Sequence, residues 1–317
     1  MKKIVIALGG NAIKQADQEG TYEEQFENIR VTAKEIVKII KAGHKVVITH
    51  GNGPQAGSLL IQQEKGSDEV PAMNMDAVGA MTQGQIGYMM LQELTNQLRK
   101  ENLNTPIVSL VNQVLVDKDD PAFLNPTKPV GPFYTEEEAS ILADQKEGWI
   151  IKEVKGKEVL RRFRRVVPSP TPIDNIESIA INKMIEMGFL VIASGGGGVP
   201  VIRDESGELK GVAAVIDKDR AGEKLANIVN ADIFLVLTDV ENAYINYGKS
   251  NQEKLTKMSV DSLTKHLNDG QFAAGSMAPK VEATLSFVRN GGEKAIITSL
   301  NKAFDAIEGD AGTQILK

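Results

Sequence analysis

The chain has 317 residues, 42% of them hydrophobic, which is ample for a large buried core in one large domain or two. Charged residues make up 25%, and the net charge of -6 argues against a general nucleic-acid binder, which carries a basic excess. Cysteine is absent, which excludes disulfides, a thiolate metal site and a cysteine nucleophile and fits a cytoplasmic protein.

Short β-branched runs alternate with longer helical patterns along the chain. The first strand is expected at Lys3–Leu8. Its apolar run stops at Gly9-Gly10, so the basic start Met1-Lys2-Lys3 and this short run do not read as a signal peptide. A helix is expected at Tyr22–Lys41, a strand at Lys45–His50, a helix at Asp76–Arg99 and a strand at Pro106–Leu110. A helix at Ile173–Met187, a strand at Phe189–Ala193, a helix at Ala221–Asn230 and a strand at Ile233–Leu237 continue the alternation. Helices at Val260–Asn268 and Lys280–Asn290, with a strand at Lys294–Ile297 after the second, complete it. The strands are continuous apolar runs rather than alternating ones, the mark of parallel strands buried on both faces, so the class is α/β with a mostly parallel sheet. No apolar run approaches the roughly 20 residues of a membrane span.

Val111 to Pro172 breaks the rhythm, being rich in Pro, Gly and charge. Its apolar and aromatic residues, with a hairpin-like Trp149–Val154 and the basic run Arg161–Arg165, favour an ordered insertion that acts as a lid. The alternation of that basic run with Phe163 and Val166 suits a solvated strand better than a nucleic-acid surface. On the helix Asp76–Arg99, Met75, Met81, Met89 and Met90 suit a core. Gly79, Gly84 and Gly87 suit the close approach of another helix, as in a homodimer.

Two strands run straight into glycine turns, Gly9-Gly10-Asn11 and His50-Gly51-Asn52-Gly53-Pro54-Gln55. A strand that ends in glycines and turns into a helix directs bare backbone N–H groups at one spot and binds anions there. Each turn also has a plain reading as a tight connection. His50 lacks a partner motif and is not a base. Ser194-Gly195-Gly196-Gly197-Gly198 carries more glycine than a turn needs, which favours close backbone approach to a ligand.

Asp217-Lys218-Asp219 precedes a helix, where capping and the dipole explain an Asp but not Lys218. Lys280 stands at another helix start, after Pro279, and Lys128 lies in the Pro-rich insertion. Lysines at the wrong end of a helix dipole become right if a phosphate sits there. Asp239, after the strand Ile233–Leu237, and Tyr244 suit either a nucleotide pocket or a capped turn with a packed aromatic. No cluster has metal-ligand spacing and no nucleophile has a base. That inventory suits phosphoryl transfer to an acceptor that is already an anion, where positioning and charge neutralisation do most of the work.

Together, Ala7-Leu8-Gly9-Gly10-Asn11-Ala12, His50–Gln55, Ser194–Pro200, Asp217–Asp219 and Ala274–Lys280 resemble the carbamate kinases, a branch of the amino-acid kinase superfamily. The resemblance covers the whole length. It implies a three-layer αβα sandwich, a single domain over 1–317 with a mainly parallel eight-stranded sheet. It also implies an acceptor-binding N-terminal lobe, a nucleotide-binding C-terminal lobe and a protruding lid subdomain at about 111–172. The implied reaction is reversible, ATP and carbamate giving ADP and carbamoyl phosphate. It makes ATP in arginine catabolism through the deiminase route, in a cytoplasmic homodimer with no nucleic-acid or membrane partner.

By position, Gly9, Gly10, Asn11, Gly51, Asn52 and Gly53 would bind the acceptor, and Lys128, Lys218 and Lys280 would neutralise the moving phosphoryl group. Asp219 would orient the lysines, and Asp217, Asp239, Tyr244 and Lys280 would bind nucleotide. Mg²⁺ would be held mainly by the nucleotide phosphates, with no protein metal site. Most other amino-acid kinases carry a lysine where this chain has Ala7, which counts against acetylglutamate kinase or aspartokinase. A kinase of another small carboxylic acid, or a catalytically silent sensor of nucleotide or carbamoyl phosphate, are the alternatives.

Overall fold

The computed structural model describes residues 1–154 and 160–317; residues 155–159 of the Val111–Pro172 stretch lie outside the described residues. The N-terminal part runs β1 (Lys3–Leu8), α1 (Tyr22–Lys41), β2 (Lys45–His50), α2 (Gly53–Gly66), α3 (Met75–Lys100) and β3 (Ile107–Ser109). The middle runs β4 (Gln113–Val116), β5 (Lys128–Tyr134), α4 (Glu136–Gln145), β6 (Ile150–Glu153), β7 (Phe163–Val167), β8 (Pro172–Asn175) and α5 (Ser178–Glu186). Then come β9 (Leu190–Ile192), β10 (Val199–Arg203), β11 (Leu209–Gly211), α6 (Lys218–Ile228), β12 (Ile233–Thr238), β13 (Tyr244–Ile245) and β14 (Glu253–Lys254). The chain closes with β15 (Lys257–Ser259), α7 (Val260–Asn268), α8 (Met277–Arg289), β16 (Lys294–Ser299), α9 (Ala303–Glu308) and β17 (Thr313–Leu316).

An eight-stranded sheet in the order β15-β17-β16-β12-β1-β2-β9-β3 forms the middle layer. Every pairing in it is parallel except β16 with β17. Alternation along β1 divides the core in two. Ile4, Ile6 and Leu8 pack with α1, α3 and α9 on one face, while Val5 and Ala7 pack with α5, α6, α7 and α8 on the other. Each fully buried Ile, Leu or Phe contributes about 1.5–3 kcal/mol, which is why the continuous apolar strands are the most legible part of the sequence.

Local sequence sets the helix ends. Thr21 opens α1 with a capping box, its hydroxyl accepting from the Glu24 N–H and the Glu24 carboxylate accepting from the Thr21 N–H. Glu23 and Glu24 in the first turn and Lys38 and Lys41 in the last complement the dipole. Among the described residues, no helix is long and apolar enough to cross a membrane.

Several expectations need correction. Ile173–Asn175 is not helical: Pro172–Asn175 forms β8, which pairs antiparallel with β4, and the helix starts only at Ser178. α6 begins three residues before Ala221, because Asp217 caps it, and α8 begins at Met277. α2 carries no apolar stripe, with Gln55 its buried residue, so periodicity does not reveal it. Of the α3 glycines, a Cβ at Gly87 would run into Ser109 of β3, so the close approach there is to the chain's own strand, while Gly79 and Gly84 face open space. Met75, Met89 and Met90 are buried as expected, but Met81 is 38% exposed.

The irregular stretch contributes to two further sheets. β4 and β8 join β10 and β11 in a four-stranded sheet, whereas β5, β7 and β6 form a three-stranded one with α4 against it. Arg164 and Arg165 on β7 are half-buried rather than fully solvated, contrary to what the charge pattern suggested. Arg164 donates to the Gly131 carbonyl and lies over Phe133 at 4.8 Å, and Arg165 lies over Trp149 at 4.3 Å.

Candidate active site

Because β12, β1, β2 and β9 are parallel neighbours, their carboxyl ends open on one edge of the sheet. Leu8 pairs with both His50 and Leu237, so Gly9-Gly10-Asn11, Gly51-Asn52-Gly53 and Thr238-Asp239 begin side by side. Ligands of open α/β sheets sit at such an edge. The Gly51 N–H donates to the Leu8 carbonyl, which ties the two glycine turns together.

Lys218 reaches this edge from the first turn of α6. Its side-chain stem passes so close to Gly51 that a Cβ there would lie 3.2 Å from the Lys218 Cδ and 3.6 Å from the Gly10 nitrogen. Gly51 thus makes room for the lysine, and the two turns and Lys218 share one spot. Asp219 is buried and receives two ammonium groups, Lys218 Nζ on Oδ1 at 2.7 Å and Lys280 Nζ on Oδ2 at 2.9 Å. α6 and α8 pack side by side, which brings their amino ends together. Both lysines stand at the positive end of a helix, and Asp219 offsets that repulsion. Burial lowers the Lys218 pKa, with Lys280 adding to the effect and the Asp219 carboxylate opposing it.

Lys128, on β5, pairs with Asp217 at 3.0 Å. Lys128 also lines a cavity of about 220 Å³ with Asn52, Gly53, Arg164, Gly196 and Gly198. Three expected residues therefore meet in one cavity, and Lys218, Lys280, Asp219, Gly10 and Gly51 meet beside it. Asn11 curls back over Gly9. Asn52 donates to the Thr82 hydroxyl at 2.8 Å. Asp239 accepts from the Thr238 hydroxyl, and Tyr244 lies in the β13–β14 ribbon with its ring 6.2 Å from that of Tyr247. Among the described residues, no hydrogen bond or ion pair links Asp239 or Tyr244 to the lysines.

The glycine run after β9 answers to the protein more than to a ligand. A Cβ at Gly195 would meet the His50 ring, at Gly196 the Asn52 amide, at Gly197 the Ile216 carbonyl and at Gly198 Val114. Close approach was the right reading, but the groups approached belong to the second glycine turn, to β4 and to the segment before Asp217. Buried amides lock this run. Gln83 donates to the Gly195 carbonyl at 3.0 Å and accepts from the Asn112 N–H, while the Asn112 side chain accepts from the Ser194 N–H. Sequence reasoning missed Thr82, Gln83 and Asn112 and read Arg164 as solvated, since contacts between residues far apart in the chain leave no local pattern in the sequence.

His50 is fully enclosed and its pKa is pushed down to about 4 by burial, against a smaller raising effect from its hydrogen bond to the Gly51 carbonyl. It is neutral at pH 7 and a poor base, as expected. Its folded pKa lies below the unfolded value, so the unfolded chain takes up the proton first as pH falls. The stability held above about pH 6.5 should decline by up to about 3 kcal/mol as pH drops to 4. Denaturant midpoints across that range should fall less steeply in His50→Gln than in the unsubstituted protein, and parallel curves would remove His50 as the cause.

The model of the Amino acid kinase family matches residues 2–299, and the chain belongs to that family. It is an α/β phosphotransferase. Relatives that match it over their full length include carbamate kinases. The carbamate kinase of Thermococcus kodakarensis is 57% identical with all of both chains covered, and that of Pyrococcus furiosus is 56% identical over 99% of each. The solved structure of the carbamate kinase from Giardia lamblia bound to AMP-PNP is 46% identical and superposes with a TM-score of 0.95, over 100% of this chain and 98% of that one.

Proposed function

We propose that the protein is a carbamate kinase, passing a phosphoryl group between carbamoyl phosphate with ADP and carbamate with ATP. The observation that carries this reading is Asp219 holding two ammonium groups beside two glycine turns. In the ATP-forming direction, a β-phosphate oxygen of ADP bonds to phosphorus as the bond from phosphorus to the carbamate oxygen breaks. Both nucleophile and leaving group are anions, so no proton moves and no base is needed. The difficulty is repulsion between them, and Lys218, Lys280 and Lys128 relieve it. Gly9, Gly10, Asn11, Gly51, Asn52 and Gly53 would hold carbamate and the moving group through the two amides and the backbone N–H groups other than that of Gly51, which the Leu8 carbonyl takes.

The nucleotide is assigned to the β12 side, near Asp239, Tyr244 and Lys280. The carboxylates beside the lysines already serve protein donors: Asp219 two ammonium groups, Asp217 one ammonium and two backbone amides. Mg²⁺ would therefore arrive with the nucleotide and be held mainly by its phosphates, neutralising part of their charge. A role in arginine breakdown, a cytoplasmic location and a homodimer complete the proposal. Exposed Tyr22, Met81 and Tyr88 on α1 and α3 offer apolar surface for the dimer.

Purified protein given carbamoyl phosphate and MgADP should form ATP well above the background of carbamoyl phosphate decay, and the same sample should weigh two chains by light scattering. No ATP would sink the kinase reading and leave the silent sensor. A mass of 34.3 kDa would sink the dimer.

A further inference from the structure

Two of the three lysines share one carboxylate on the body of the protein, but the third stands on β5, in the separate three-stranded sheet. Something must set its position relative to the other two. Among the described residues, β5 packs along α2, but the hydrogen bonds between that sheet and the body are few. The Tyr134 hydroxyl donates to Glu64 on α2 at 2.7 Å, and the Val215 N–H donates to the Pro168 carbonyl just past β7 at 3.0 Å. The tie that lies at the lysines is the pair of Lys128 with Asp217.

The two oxygens of Asp217 do different work. Oδ1 accepts from the backbone N–H groups of Asp219 and Arg220, at 3.0 and 3.4 Å, and so caps the helix that carries Lys218 and Asp219. Oδ2 accepts from Lys128 Nζ at 3.0 Å. Its side chain is 15% exposed, so the pair is partly shielded from water. Burial on its own would raise the Asp217 pKa, yet the Lys128 ammonium and the backbone amides bring it below the ordinary carboxylate value. The group is an anion held by its partners on both sides.

We propose that Asp217 is a positioning residue: its one carboxylate ties Lys128 of the three-stranded sheet to the amino end of α6, so that docking that sheet and assembling the three-lysine cluster are one event. This assignment rests on the kinase reading and differs from a direct role in holding nucleotide, since both oxygens already face protein donors. When the phosphoryl group arrives, Lys128 is within a side-chain rotation of it and needs no search by the whole sheet. The arrangement supplies part of the orientation on which transfer between two anions depends.

Asp217→Asn separates the two jobs. Asparagine caps a helix as well as aspartate does, but offers Lys128 no charge. The unsubstituted protein, Asp217→Asn, Lys128→Met and the double variant are compared for kcat, KM for MgADP, melting temperature and, without substrates, amide exchange over residues 128–134. Asp217→Asn should lower kcat about tenfold with its melting temperature and nucleotide KM little changed, and β5 should exchange faster. In the Lys128→Met background the same substitution should lower kcat no further. An equal-fold loss in both backgrounds, a rise in nucleotide KM without loss of kcat, or unchanged kcat and exchange would overturn the assignment. If the unsubstituted protein forms no ATP, the kinase reading fails instead, and the exchange comparison still decides whether Asp217 holds the sheet.

Discussion

Lys218→Ala should lower kcat on the order of 10³-fold while the protein still folds. The ammonium enters the site beside both glycine turns, where the transferring group must sit between two anions. Removing one preorganised donor of this kind from a sheltered site costs roughly 10²–10³ in rate, and a full positive charge belongs at the upper end. Stability should suffer little. The Lys218 side chain is 20% exposed, and its loss leaves Asp219 paired with Lys280 at 2.9 Å rather than orphaned. It also removes a cation from the positive end of α6. Circular dichroism and a melting curve close to those of the unsubstituted protein, together with the kinetics, test the claim. Turnover within tenfold of the original would take Lys218 out of the chemistry.

Gly197→Ala should destabilise the fold by about 3 kcal/mol and reduce activity with it, although residue 197 touches no substrate in the proposed mechanism. Gly197 has φ +96°, a backbone region open to glycine and costly for alanine. The added Cβ would also drive into the Ile216 carbonyl, and a backbone atom cannot rotate away as a side chain can. Ile216 leads directly into Asp217, Lys218 and Asp219, so relief of the clash displaces the run proposed to act in catalysis. A lower denaturant midpoint and a lower kcat should appear together. An unchanged midpoint would mean that the backbone at 216 yields freely.

The sequence makes the central sheet and its helices plain for a specific reason. Strands such as Ile4–Leu8 and Ile233–Leu237 are buried on both faces, so burial acts on every residue and leaves an unbroken apolar run. Lys218 and Lys280 are legible because their charge opposes the helix dipole, an inconsistency that calls for an anion, whereas Lys128 stands on a strand and carries no such signal. The elements that depend on distant partners were hidden. β8 exists because β4 lies beside it, α2 has no apolar stripe, and Gln83 and Asn112 meet only through the fold. The glycine run shows both sides: its composition announced close approach, but which groups approach is a property of the third dimension.

The adjacency of β12, β1 and β2 also sets a length. Neighbouring strands in a hydrogen-bonded ladder stand about 4.8 Å apart, a spacing fixed by covalent geometry and the N–H···O bond. Under the proposed function, the donor and acceptor loops leave adjacent strands and inherit that spacing, so the ladder serves as a ruler between them. In the proposed site, the turns after β12, β1 and β2 are all cut from one sheet. Warming the protein or loosening its surface should therefore alter how substrates get in and out well before it alters how far the phosphorus has to travel.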